Sequence, residues 1–286
     1  VVAYAAARHI TVVPEIEMPG HAQAAVAAYP ELGNHPDVPV EVSRTWGVHE
    51  DVYNAEESTL RFLQNVLDEV LDLFPSEFIH IGGDECPKKQ WRESAAAQAR
   101  MRALGLKDEE ELQSYFVRRM DAFLFARGRR LIGWDEILEG GLAPRAAVMS
   151  WRGEEGGITA ANAGHDVVMA PTTYTYLDYN QTTDPSSEPL SIGGYIPLEK
   201  VYSFDPIPAG VEPEKAHHIL GAQGQMWAEY IATQDTLDTM AFPRLCALAE
   251  VVWTSKERKD YAGFLTRLKE GHLPRLDALG VKYFPL

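Results

Sequence analysis

Two adjacent carboxylates, Asp84 and Glu85, follow Phe78-Ile-His-Ile-Gly-Gly, a short β-type run that stops at two glycines. Side by side, such groups can divide proton donation and charge stabilisation between them once their surroundings push their pKa values apart. Their flanks say what holds them. Leu73-Phe74-Pro75 closes a helix just before the run, and Pro87 with Lys88 and Lys89 opens another just after it, since proline cannot continue a helix but suits its first turn. The pair therefore sits on a strand-to-helix turn, the edge of a parallel α/β protein that carries active sites.

The arrangement recurs along the chain. The β-type runs are Thr11 to Ile16, Phe78 to Ile81, Arg130 to Gly133, Ala147 to Ser150, Asp166 to Met169 and Ile219 to Ala222. Nearly every one leads into groups suited to binding: Glu15, Glu17 and His21; Asp84 and Glu85; Trp134, Asp135 and Glu136; Trp151 and Arg152; Tyr174, Tyr176 and Asp178; Trp227 and Glu229. Aromatic walls beside carboxylates are what a pyranose needs, because its C–H faces stack on rings while its hydroxyls bond to carboxylate oxygens. This pattern points to carbohydrate.

Between the runs lie helical patterns. Leu60, Leu63, Leu67, Val70 and Leu71 recur at three- and four-residue spacing, as do Leu112, Tyr115, Phe116, Met120, Phe123 and Leu124, which predicts two amphipathic helices. Strand and helix alternating in this way predict parallel βαβ units. An open doubly wound sheet gathers its site at one switch point, whereas binding groups after nearly every strand suit the rim of a TIM-type β/α barrel. Six runs are two short of eight. Val1 to Arg8 reads as a helix already under way, without Met or a capping residue, so the expectation is a single catalytic barrel domain over residues 1–286 that lacks its first two strands, about six of eight βα units. The Pro-, Ser-, Thr- and Asp-rich stretch from Asn180 to Gly210 reads as a long loop before the last strand.

Composition narrows the partners. The chain has 286 residues and a formal net charge of −16, from 42 acidic against 26 basic residues, which argues against nucleic acid, whose binding draws on clustered Lys and Arg. Its apolar runs all fall short of a membrane span. Cys86 and Cys246 are too few and too far apart for a disulfide framework or zinc site and read as free thiols. A metal site built from His80, Asp84 and Glu85 lacks a further His or Cys at ligand spacing, so neither metal nor cofactor is expected. Lys88-Lys89, Glu109-Glu110-Glu111 and Glu154-Glu155 read as solvated charges.

Six segments together carry a resemblance. Val13-Pro-Glu-Ile-Glu-Met-Pro-Gly-His21, His80-Ile-Gly-Gly-Asp-Glu85, Gly133-Trp-Asp-Glu136, Ser150-Trp-Arg-Gly153, Tyr176-Leu-Asp-Tyr179 and Gln225-Met-Trp-Ala-Glu229 are similar, in order, to motifs of glycoside hydrolase family 20, the β-N-acetylhexosaminidases. The resemblance covers nearly the whole chain. It implies a TIM-type barrel and a retaining, exo-acting enzyme that removes terminal N-acetylglucosamine or N-acetylgalactosamine from a glycan or amino-sugar oligosaccharide, periplasmic or secreted. The family is among the substrate-assisted exceptions to the two-carboxylate mechanism, so the 2-acetamido oxygen would attack the anomeric carbon itself.

By the same resemblance, Glu85 is the general acid and later the base, Asp84 accepts the acetamido N–H, and Tyr176 bonds the acetamido oxygen. Trp134, Trp151 and Trp227 wall the pocket, and Asp178 and Glu229 bind hydroxyls. His21 and His80 are placed with the substrate-binding residues, in a polar relay that positions the carboxylates with Glu15 or Glu17 as partner; core histidines satisfied by backbone are the competing reading. A dry aromatic surround and the Asp84 charge would raise the pKa of Glu85. One departure is visible: no residue matches the arginine that the first barrel strand supplies to the sugar. The alternative of another class is a non-catalytic carbohydrate-binding remnant of the same fold.

Overall fold

The computed structural model describes residues 1–286, the side chain of Pro185 apart. Its contacts group into two compact units, Val1–Met149 and Ser150–Leu286.

The first unit is built on parallel pairing. Strand β1 (Phe78–His80) pairs with β2 (Arg130–Trp134), with Phe78 opposite Arg130 and His80 opposite Ile132; β2 pairs with β3 (Ala147–Ser150), with Ile132 opposite Ala147 and Trp134 opposite Met149. The connection from β1 to β2 is helical, as parallel neighbours require. Glu57–Leu73 runs into β1 and buries Leu60, Leu63, Leu67 and Val70, each fully buried aliphatic side chain stabilising by roughly 1.5–3 kcal/mol. Glu109–Phe125 runs into β2, starts at Asp108, whose side chain accepts the Glu111 N–H, and buries Leu112, Phe116, Met120 and Leu124. Tyr115 and Phe123 are only half-buried; Gln113, Val117 and Asp121 turn inward instead. The helix opening the chain spans Val2–Ala6.

The run Thr11 to Ile16 does not form a full strand. It meets β1 in a single parallel bridge, Glu15 opposite His80, through Ile16 N–H to His80 O (3.0 Å) and His80 N–H to Pro14 O (2.9 Å). Pro14 has no N–H to give, so the ladder cannot extend through it.

In the second unit β4 (Val167–Met169) pairs in parallel with β5 (Ile219–Ala222), with a register shift between Val167 and Val168. Residues 180–210 are more ordered than a plain loop. They contain the helix Leu198–Ser203 and bury Ile196, Val201 and Phe204. Arg244, wholly buried on the helix Arg244–Trp253, binds the Ile196, Leu177 and Met240 carbonyl oxygens at 2.9, 2.6 and 2.8 Å. Among the described residues no helix is long and apolar enough to cross a membrane.

Candidate active site

The first unit gathers carboxylates and imidazoles at the C-terminal end of β1. Gly82, Gly83 and Glu85 follow it with φ of +68°, +96° and +45°, and His21 has φ of +48°. Glutamate and histidine seldom take this left-handed conformation, and such strain persists only where surrounding contacts fix it. Those contacts grip one residue, Gly83, through both its N–H and its C=O. Glu17 Oε1 accepts the Gly83 N–H at 3.0 Å, and Gln113, buried on the helix Glu109–Phe125, donates from Nε2 to Gly83 O at 2.7 Å. Lys88 continues the clamp, with Nζ 2.9 Å from Cys86 O and 2.6 Å from Gln113 Oε1. Lys88 is thus a buried brace of the turn and not the solvated charge that the Lys-Lys pair suggested, with Glu110 Oε2 3.3 Å from its ammonium.

His21 lies against both carboxylates. Its Nε2 is 3.4 Å from Asp84 Oδ2 and 3.4 Å from Glu85 Oε2, and the hydrogen bond to Asp84, only partly opposed by burial, raises its pKa above the ordinary histidine value. These three residues, and not His80, bring ligand-type atoms within 4.8 Å of one another. The Glu85 side chain is 38 % exposed, so it lacks the dry surround that the motif suggested.

His80 and Trp134 support the turn from beneath. His80 is 3 % exposed, its Nδ1 accepts the Gly82 N–H at 3.0 Å, and burial lowers its pKa to about 4, so the ring is neutral. Its expected place among the substrate-binding residues therefore changes: a ring sealed under the turn acts on the carboxylates through Gly82. Trp134, 2 % exposed, donates from Nε1 to Glu15 Oε1 at 2.8 Å and meets His80 edge-on at 4.9 Å between ring centroids. Glu15 Oε1 is also 3.3 Å from His80 Nδ1.

The second unit holds its own constellation. Tyr176 and Gln225 form a parallel bridge, with Leu177 N–H on Gln225 O and Gln225 N–H on Thr175 O, both 2.8 Å. Trp151 stacks on Tyr176 with centroids 6.4 Å apart and planes 28° from parallel. Asp178, 4 % exposed, has a buried Oδ1 with no hydrogen-bond partner among the described residues, and so does Gln225 Nε2. A buried acceptor and a buried donor left open beside an aromatic stack are suited to hydroxyl and amide groups of a ligand. Burial pushes Asp178 up to about 6, and the Glu229 carboxylate adds to the rise. Trp227 and Glu229 lie exposed on the segment after Gln225. In the sequence a glutamine has no chemistry that singles it out; Gln225 stands out through its buried Nε2, while its Oε1 accepts from Gln223 Nε2 at 2.9 Å.

The family model for the glycosyl hydrolase family 20 catalytic domain matches residues 1–256. The chain belongs to glycosyl hydrolase family 20. It is 53 % identical over 285 residues to a β-hexosaminidase of Porphyromonas gingivalis, covering 99 % of this chain and 36 % of that protein. To a β-hexosaminidase of Vibrio furnissii it is 39 % identical over 252 residues, covering 87 % of this chain and 41 % of the relative. Among solved structures, the exo-β-N-acetylglucosaminidase of Vibrio harveyi in complex with N-acetylglucosamine superposes with a TM-score of 0.86 at 37 % identity, covering 99 % of this chain and 45 % of that one. The β-N-acetylhexosaminidase of Bacteroides fragilis gives a TM-score of 0.83 at 33 % identity, with 99 % and 56 % covered. The fold is accordingly the family's TIM-type β/α barrel class, and the chain spans between 36 % and 56 % of the length of these relatives.

Proposed function

We propose that this chain carries the catalytic groups of a retaining exo-β-N-acetylhexosaminidase acting on terminal N-acetylglucosamine or N-acetylgalactosamine. The observation that carries the reading is the strained Asp84-Glu85 turn at the end of β1, with His21 3.4 Å from each carboxylate. In the proposed reaction the substrate's acetamido oxygen bonds to the anomeric carbon as the glycosidic C–O bond breaks, and Glu85 gives its proton to the leaving oxygen. Asp84 accepts the acetamido N–H and faces the positive charge of the oxazolinium ion. Water then attacks the anomeric carbon while the Glu85 carboxylate takes its proton; the ring reopens, and two inversions leave the configuration retained. Tyr176 is assigned to the acetamido oxygen, Trp151 and Trp227 to the sugar's faces, and Asp178 and Glu229 to its hydroxyls.

An aryl N-acetyl-β-glucosaminide and the matching β-glucoside test this directly. Turnover of the first, unaffected by a strong chelator, with none measurable of the second, is the expected result. Comparable rates on both would overturn the substrate-assisted reading, and binding without turnover would favour a carbohydrate-binding remnant.

Asp178 supplies a pH test. Its folded pKa of about 6 lies above the ordinary value of about 3.9, so its neutral form is favoured in the folded protein. That contribution to stability is fully present below about pH 4 and is lost as pH rises through about 6. Binding runs the other way, because the ionised carboxylate is the stronger acceptor for a hydroxyl. KM should therefore rise as pH falls below about 6, and Asp178→Asn should raise KM about 10–100-fold at neutral pH while abolishing this limb. An unchanged limb in Asp178→Asn would remove Asp178 from the hydroxyl site.

A further inference from the structure

Glu17 is half-buried between two other carboxyls. A Cβ on Gly82 would come within 1.6 Å of its Oε1 and 2.3 Å of its Oε2, so the carboxyl lies directly on the glycine turn, where only a residue without a side chain fits. Oε1 accepts the Gly83 N–H at 3.0 Å. The same carboxyl is within hydrogen-bonding reach of Asp84 and of Glu15. Asp84 Oδ1 is buried and receives no N–H or hydroxyl hydrogen bond among the described residues, while its Oδ2 faces His21 at 3.4 Å. A buried acceptor normally has a donor. The carboxyl beside it can be that donor only with a proton on it.

We propose that Glu17 is a positioning residue held as a neutral carboxylic acid, which takes the Gly83 N–H on Oε1 and donates its own O–H to the Asp84 carboxylate. The groups facing it favour this state. Glu15 and Asp84 are acidic, and the other titratable neighbours, Tyr53 and Cys86, are both pushed upward with Glu17 contributing. Desolvation first, and then the Asp84 charge, push Glu17 itself up to about 10. A neutral acid here fixes the Asp84 plane without a repelling charge next to it, leaving Oδ2 for the partner in front. The inference rests on the assignment of Asp84 to the acetamido N–H, which gives this fixing its purpose.

Glutamine and alanine at position 17 separate the possibilities in the full chain. Glu17→Gln keeps an acceptor for Gly83 and an N–H donor for Asp84, so kcat should stay within about tenfold of the parent. Glu17→Ala should lose roughly 10²-fold or more in kcat, the cost of a misplaced catalytic group, beyond any loss explained by a lower Tm. The parent should lose activity as pH approaches about 10, since deprotonation removes the donor, and Glu17→Gln should lack that limb. Infrared difference spectra should show the C=O stretch of a protonated carboxylic acid at neutral pH, absent from Glu17→Gln. Equal damage from both substitutions, or no such band, would overturn the inference. If Glu17→Ala fails to fold, the glutamine variant's activity, its alkaline limb and the infrared band still decide. A parent with the band but no activity on N-acetyl substrates would sink the assigned function and leave the protonated acid standing.

Discussion

Glu85→Gln is expected to lose roughly 10²–10⁴-fold in kcat/KM on substrates with poor leaving groups, the usual worth of a general acid. Glutamine keeps the shape of the side chain and has no proton to transfer. The loss should shrink steadily as the leaving group becomes more acidic, because an activated phenolate departs with little help. kcat/KM is the quantity to measure, since it reports the first bond-breaking step and excludes the later attack of water, in which Glu85 is also assigned as base. The fold should survive. Glu85 is 38 % exposed and its carboxylate faces His21 at 3.4 Å, so Tm should stay near the parent value, whereas the strain at φ +45° belongs to the backbone and is shared by the variant. An equal loss across a series of phenols would remove Glu85 from the acid role.

The glycine turn and the two amphipathic helices could be read directly because their signals are local. Leu60, Leu63 and Leu67 repeat at helical spacing and are all buried, and Gly82 and Gly83 both take positive φ. The first β-type run read as a strand because Val12, Val13 and Ile16 favour one, but Pro14 withholds the N–H that a ladder needs. What holds the turn was far less visible. Glu17 reaches Gly83 across 66 residues and Gln113 reaches it across 30, and neither distance leaves a mark on spacing or composition. Lys88 looked solvated for the same reason: a charged pair beside a proline says nothing of a glutamine acceptor 25 residues on. Trp134 and His80 were legible as members of the site, yet their burial under the turn depends on how β1 and β2 pair, which residue types alone do not determine.

Asp84→Asn should cost roughly 10²–10³-fold in kcat, comparable to removing one preorganised electrostatic partner of a transition state, and it should do so for good and poor leaving groups alike. The charge opposite the oxazolinium ion is gone in this variant, whichever group leaves. Orientation makes the mismatch worse. If Glu17 continues to donate to the carbonyl oxygen at position 84, the new NH₂ is turned toward the acetamido N–H, donor against donor. Stability should move in the other direction. Asp84 is one of the charges that raise both Glu15 and Glu17, so neutralising it relieves a crowd of three carboxyls and Tm should hold or rise, as is common where a site is built at a cost to stability. The combination of low kcat, flat leaving-group dependence and undiminished Tm distinguishes this residue from Glu85 on one side and from a structural acid on the other. A loss confined to poor leaving groups would instead assign Asp84 to proton transfer, and a lowered Tm with near-normal kcat would reduce it to a brace of the turn.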